Sequence, residues 1–296
     1  MRIFQVDAFT RTRFTGNPAV VVLDADGCAA ETMAAIAREF AHAEVAFVSG
    51  ATGPDHDVRL RFFNARKEVA FVGHATVAAH AVLLALGLRG AGVMRQHSAL
   101  GVLSVRARCA ADGAPLLEFR QTMPELAPPL PSELTLHVAD ALRLPASLLH
   151  PSLPVRLARK GGTRLLVPVG RAEGLETLAP EGARLLALGE ALGADGFFVF
   201  FVRRDADSLS TESRMFCPAL GIPEDPVSGN AHSMLAAYLW ESGQFSPTMT
   251  CFVGHQGRWV RRPGVVAVEL EIEAGRLTAA HVGGSAVIVS EGVLAP

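Results

Sequence analysis

The sequence is short of most features that would assign it to a special class. Its four cysteines, Cys28, Cys109, Cys217 and Cys251, stand far apart with no CxxC pair, which argues against structural zinc or a disulfide framework. A reducing, cytoplasmic setting is expected. No run of 18 apolar residues occurs. The densest stretch, GFFVFFV at 196–202, has the length of a buried strand, so no membrane span is expected. Excess positive charge is missing too, with 27 Lys+Arg against 29 Asp+Glu and a formal charge of −2. That excludes a nucleic-acid binder working through a broad basic surface. Lysine is nearly absent, with arginine in its place. The opening segment, MRIFQVDAFTRTRF, has neither an apolar h-region nor a small-residue cleavage site, so a signal peptide is not expected. Neither GxGxxG nor GxxxxGK[ST] is present, which removes the usual nucleotide cradles. No metal is expected.

What is present is an ordinary globular composition, 50% hydrophobic and 19% charged over 296 residues, enough for one large core or two moderate ones. Strands are predicted at 2–9, 19–23, 44–48 and 58–63. A helix is predicted over 31–42, where Met33, Ile36, Ala37 and Phe40 recur at helical spacing. An alanine-rich helix opens at Gly73-His74 and stops near Gly87. The PELAPPLP segment at 124–131 holds four prolines and is expected to break regular structure as a linker. Beyond it come predicted helices at 133–142 and 180–192, and a hairpin at 155–169 turning at Gly161-Gly162. Strands are predicted at 196–202, 214–217, 265–272, 277–281 and 286–289, with a further helix opening at Gly229.

The two halves repeat. Gly73-His74-Ala75 lines up with Gly229-Asn230-Ala231, 156 positions on, and the same offset pairs Glu68 with Glu224 and Gly87 with Gly243. Arg61-Phe62-Phe63 matches Arg214-Met215-Phe216 after a three-residue shift. A strand, a loop with glutamate, a glycine and an alanine-rich helix follow in the same order twice. The duplication is chemically uneven: Val69 corresponds to Asp225, His74 to Asn230, and Glu44 to the apolar region at 196–200. A glycine just before a helix lets a ligand approach the unpaired first-turn N–H groups at the positive end of the helix dipole, where carboxylates are natural ligands. The expected partner is therefore a small anionic substrate, held at an acid–base site with two unlike faces.

Several blocks carry a family resemblance: DAFT at 7–10, GNPAVV at 16–21, AEVAFV at 43–48, FVGHATVAAH at 71–80, GIPEDPVSGNAH at 221–232 and VGGSAVIV at 282–289. Together they resemble the PhzF phenazine-biosynthesis-like family, relatives of diaminopimelate epimerase, over essentially the whole chain. The resemblance implies an α+β, duplicated diaminopimelate epimerase-like fold. Two pseudo-symmetric domains are expected, 1–123 and 132–280, each a β-sheet or barrel wrapped around a central helix. A terminal strand within 281–296 is expected to return to the first domain. It also implies a cofactor-independent isomerase, a homodimer, and a site in the cleft between the domains.

By the same resemblance Glu44 matches the family's general base or acid, and His74 the histidine beside it. Gly73 stands where the epimerases keep a catalytic cysteine, and Asp225 matches the aspartate that replaces the second one. Asn230 and Ala75 depart from the serine and proline of the phenazine isomerase, which leaves the substrate open. The residues themselves fit such chemistry. One carboxylate could take a proton from one carbon and return it to another if desolvation brought its pKa towards neutrality. Ala43, Val45, Ala46 and Phe47 around Glu44 favour that. His74 could hydrogen-bond a hydroxyl, Asp225 could bind an amine, and Ser228, Gly229 and Asn230 could hold the carboxylate. Two other functions compete: an amino-acid racemase or epimerase, which would need two thiols in place of Gly73 and Asp225, and a catalytically silent binding protein on the same fold.

Overall fold

A computed structural model describes residues 1–40, 44–109, 115–205, 207–246 and 248–294. Its internal contacts divide the chain into two units, Met1–Arg120 together with Gly283–Pro296, and Gln121–Val282.

In unit 1 the elements run β1 (Arg2–Ala8), β2 (Asn17–Val22), α1 (Ala30–Glu39), β3 (Glu44–Gly50), β4 (Val58–Phe63), β5 (Glu68–Val69), α2 (Gly73–Ala85), β6 (Gly92–Ser98), β7 (Gly101–Cys109) and β8 (Pro115–Thr122). In unit 2 they run β9 (Glu125–Pro129), α3 (Ser132–Ala141), β10 (Arg156–Arg159), β11 (Thr163–Val169), α4 (Glu173–Glu176), α5 (Gly182–Leu192), β12 (Gly196–Arg204), β13 (Leu209–Cys217), β14 (Ile222–Asp225), α6 (Gly229–Glu241), β15 (Cys251–Gln256), β16 (Gly264–Glu273) and β17 (Arg276–Gly284). The last strand, β18 (Ala286–Val293), belongs to unit 1. The class is α+β. The helix predicted over 31–42 is α1, Ala30–Glu39; residues 41 and 42, the end of that prediction, lie outside the described residues, as does Ala43.

Strand pairing repeats in full. In unit 1, β18 and β1, and then β1 and β2, are antiparallel; β2 and β3 are parallel; β3 and β4 are antiparallel; β4 and β6 are parallel; β6 and β7 are antiparallel. Unit 2 has the same order and the same senses through β9, β10, β11, β12, β13, β15 and β16. The helices α2 and α6 start and stop 156 positions apart. Gly87 and Gly243, just past their ends, both have positive φ, 68° and 65°, the left-handed stop that glycine adopts at least cost.

Alternation along the strands explains the layering. On β3, Val45 and Phe47 pack with Met33, Ile36 and Ala37 of α1, while Ala46 and Val48 pack with Ala75, Ala78, Ala79 and Val82 of α2. The sheet therefore has a helix on each face. In α2 every residue from Ala75 to Leu83 is buried, so its sequence is apolar all round and shows no amphipathic stripe. In unit 2, α5 covers one face through Leu185, against Leu165, Val167, Phe197 and Val199. Against the other face lies α6, where Phe198 meets His232 and Phe200 meets Tyr238 edge-on.

Two expectations need correction. The 124–131 segment is no structureless linker: β9 lies within it and pairs antiparallel with β10, Leu126 opposite Ala158 and Glu125 opposite Arg159. Proline is tolerated there because the pairing shifts register between Arg156, opposite Pro129, and Ala158, opposite Leu126, and such an irregularity leaves ladder positions unused. Strands β6, β7, β8 and β15 come from stretches where no strand was expected. In β6 the buried residues are Gln96 and Ser98 while Val93 is exposed, so its polarity is inverted and the usual alternation signal is lost.

Candidate active site

Glu44 opens β3, two residues before Ala46, so alternation points its side chain to the α2 face. Helix α2 begins immediately after Val72, whose backbone is extended. His74 lies in the first turn, with its Nε2 3.3 Å from Glu44 Oε2. The two side chains are 27% and 12% exposed for Glu44 and His74 respectively. The first intrahelical bond runs from Thr76 N–H to Val72 O; the N–H groups before it have no intrahelical partner and face the space beyond the helix start.

Burial pushes the Glu44 carboxyl up, but the hydrogen bond and the attraction from His74, with help from its own backbone N–H, outweigh it. The group sits below the usual carboxylate value. This corrects the expectation that its sequence neighbours would carry its pKa towards neutrality. Val45 and Phe47 pack on the opposite face, with α1, so only some of the flanking apolar residues surround the carboxyl, and a nearby histidine does more.

The approach to α2 is held by aromatic packing. Phe71 meets Phe62 and Phe119 edge-on, at 5.9 and 5.3 Å between centroids. Phe119 also closes over Gly73, where a Cβ would lie 3.1 Å from its Cζ. Arg61 grips Glu68 with two hydrogen bonds of 2.7 Å.

Unit 2 repeats this framework with different groups. Arg214 grips Glu224 through bonds of 2.9 and 2.7 Å, and Met215 is opposite Asp225 as Phe62 is opposite Val69. Asp225 is half-buried at the end of β14. Ser228 caps α6, its Oγ accepting the Ala231 N–H at 3.2 Å, whereas Val72 offers α2 no side-chain cap. Gly229 is buried, and Asn230 donates from Nδ2 to Lys160 O at 3.3 Å. The ladders place Gly196 where unit 1 has Glu44: Ala19 is opposite Glu44 as Arg164 is opposite Gly196, and Val45 is opposite Phe63 as Phe197 is opposite Phe216. A Cβ on Gly196 would come within 2.7 Å of Cys217 Sγ, so the second copy has no room for a carboxylate there.

The structure thus brings Glu44 to His74 in unit 1, and sets Asp225, Ser228, Gly229 and Asn230 on one short segment of unit 2. Gln256, absent from the sequence reading of the site, and His232, one turn into the helix and as readily structural from sequence, also engage that segment. Gln256 hydrogen-bonds both its ends, and His232 donates from Nδ1 to Ser228 O at 2.7 Å. Nothing local in the sequence marks Gln256; His232 stands within the GNAH block. Burial pushes the Cys217 thiol up to about 12, far from a reactive thiolate. Among the described residues no group of three or more His, Cys, Asp and Glu is placed to hold a metal, and no helix is long and apolar enough to cross a membrane.

Comparison with known proteins gives a consistent result. The family model described as phenazine biosynthesis-like protein matches residues 6–292. An uncharacterized isomerase of Escherichia coli O157:H7 is 36% identical, covering 97% of this chain and 96% of its own. One from Clostridium acetobutylicum is 31% identical, covering 97% and 95%. A crystal structure of the Bacillus anthracis phenazine biosynthesis protein of the PhzF family superposes with a TM-score of 0.87 at 27% identity, covering 100% of this chain and 99% of the other. A probable proline racemase from Agrobacterium radiobacter shares the fold, at a TM-score of 0.63 and 16% identity, covering 99% and 92%. The repeated strand order, the paired central helices and a match running nearly end to end place the chain in the PhzF family of phenazine-biosynthesis-like isomerases, with the diaminopimelate epimerase-like fold.

Proposed function

We propose that the protein is a cofactor-independent isomerase that moves a proton between two carbons of one small carboxylate, an amino- or hydroxyl-bearing cyclic acid being the best fit. The observation that carries this reading is the Glu44–His74 pair, 3.3 Å apart at the start of a helix. Glu44 rests as a carboxylate and takes a proton from a C–H bond of the substrate. The bonding electrons pass into the substrate's conjugated system. The resulting carboxylic acid then returns the proton to a second carbon, so charge and atoms balance without a cofactor. A carboxylate held below its usual pKa is a weak base. The substrate C–H must therefore be acidified by conjugation, or substrate binding must weaken the hold of His74. His74 hydrogen-bonds a substrate oxygen. Asp225 takes an amine, and Ser228, Gly229 and Asn230 take the carboxylate with the first N–H groups of α6. The free cysteines and the family resemblance support a cytoplasmic homodimer.

The test is deuterium wash-in. Small amino and hydroxy acids are incubated with the protein in D₂O and followed by NMR, beside the Glu44→Gln variant. Exchange into a carbon different from the one deprotonated, with a shifted double bond, is expected. Glu44→Gln should lower it by about 10²-fold or more, and exchange that persists in Glu44→Gln removes Glu44 from the mechanism. A thiol-based racemase would instead label only the carbon it inverts. Gly73 and Asp225 occupy the two thiol positions that the epimerase resemblance implies, so this reading has little support.

A further inference from the structure

The segment from Asp225 to Ser228 joins β14 to α6 and carries the groups that the proposed function gives to substrate binding. Its counterpart in unit 1, from Val69 to Val72, is anchored by Phe71 between Phe62 and Phe119. In unit 2 Val227 takes the place of Phe71, and a different device holds the loop. Gln256, the last residue of β15 and 3% exposed, accepts the Ser228 N–H on Oε1 at 3.0 Å and donates from Nε2 to Asp225 O at 2.7 Å. One carboxamide ties both ends of the four-residue segment. The backbone after it braces the middle: Gly257 has φ +89°, and a Cβ there would lie 2.7 Å from Pro226 O and 2.2 Å from Arg262 O.

Ser228 is thereby fixed at three atoms. Gln256 holds its N–H, His232 holds its carbonyl, and the Ala231 N–H engages its Oγ, which leaves the hydroxyl hydrogen to donate. Among the described residues unit 1 has no such brace. Strand register puts Ser98 at the Gln256 position, and that short side chain accepts the Leu100 N–H instead, at 3.3 Å.

We propose that Gln256 is a positioning residue that sets the direction of Asp225 and of the first N–H groups of α6, doing by hydrogen bonds what Phe71 does by packing in the first copy. Fixing the Asp225 carbonyl restricts the backbone torsion that aims its side chain, and fixing the Ser228 N–H sets the angle at which the helix begins. The functional importance of this brace rests on the proposed function; its existence as a brace does not.

The experiment uses the isotopically labelled full-length chain and needs no substrate. Gln256→Met is close in shape and removes both hydrogen bonds; Gln256→Glu keeps the acceptor for Ser228 and loses the donor to Asp225. In Gln256→Met the Ser228 amide should exchange about tenfold faster or more, and the Asp225 carboxyl titration, followed by ¹³C NMR, should move. The Glu44 and His74 resonances should stay in place. In Gln256→Glu the Ser228 amide should remain protected while the Asp225 titration moves upward beside the added negative charge. Should Gln256→Met fail to fold, Gln256→Asn, one methylene shorter, gives the same reading. Unchanged Ser228 exchange in Gln256→Met, or an Asp225 titration unchanged in both variants, overturns the proposal. An Asp225→Asn variant that leaves deuterium wash-in intact would instead count against the functional reading and leave the brace standing.

Discussion

Glu44 and His74 show how a contact 30 residues along the chain can outweigh the nearest neighbours. Both residues are legible as candidates from their motifs, but the direction of the Glu44 pKa is not, because strand alternation sends Val45 and Phe47 to the α1 face. With His74 holding the carboxyl below its usual value, removing the imidazole should let burial dominate and raise it. The acid limb of the wash-in pH profile should therefore move to higher pH in His74→Gln, and a limb that stays in place shows that His74 does not set it. Gly73 gives a second test at this scale. A side chain there meets Phe119 at 3.1 Å, so Gly73→Cys should destabilise the protein by about 1–3 kcal/mol and create no racemase. Phe119→Leu should return part of the loss in a denaturant titration.

The elements legible in the sequence are those whose burial is one-sided or whose copy lies elsewhere in the chain. The offset of 156 found both ends of α2 and α6, although neither helix has a stripe to read. Strand β6 escaped because it turns Gln96 and Ser98 inward and Val93 outward. Strand β9 escaped because its prolines read as breakers, a rule that fails where a strand pairing shifts register, as β9 does against β10. Gln256 was illegible for a different reason: its partners are 31 and 28 residues away, and only the parallel pairing of β13 with β15 brings it to them. Duplication also sets up a comparison between the two arginine pins. The side chains of Arg214 and Glu224 are 9% and 11% exposed, against 22% and 38% for Arg61 and Glu68, and Arg214 also holds Leu175 O and Leu178 O. Arg214→Ala should cost about 3–5 kcal/mol, since it strands a buried carboxylate. Arg61→Ala should cost about 1 kcal/mol or less. Equal losses in urea unfolding would mean that burial does not separate the two pins.

For the whole molecule, the response to acid follows from two histidines sealed inside the units. His80 accepts from Arg89 at Nδ1 and donates from Nε2 to Gln96 Oε1. Burial, reinforced by Arg89, pushes its pKa down to about 3. His232 is likewise fully buried, and its pKa is pushed down to about 4. Both groups bind protons more readily in the unfolded chain. Their contribution to stability is therefore complete above about pH 6.5 and is lost as the pH falls towards those lower values. Each should cost about 3 kcal/mol by pH 4. Denaturant midpoints should hold steady above neutrality and fall steeply below about pH 6; a midpoint unchanged between pH 7 and pH 4 would refute this account.

Strand β18 has a consequence for biosynthesis. It is antiparallel to β1 from Arg2 opposite Val293 to Ala8 opposite Ala286, so β1 is matched by a strand synthesised only after the whole of the intervening chain. Until residues 286–293 are translated, β1 offers one bare row of N–H and C=O groups, ready to pair with another nascent chain. The unit that begins first thus finishes last, after the whole of Gln121–Val282 has been made, and slow translation of that middle portion would lengthen the interval in which a chaperone is most needed.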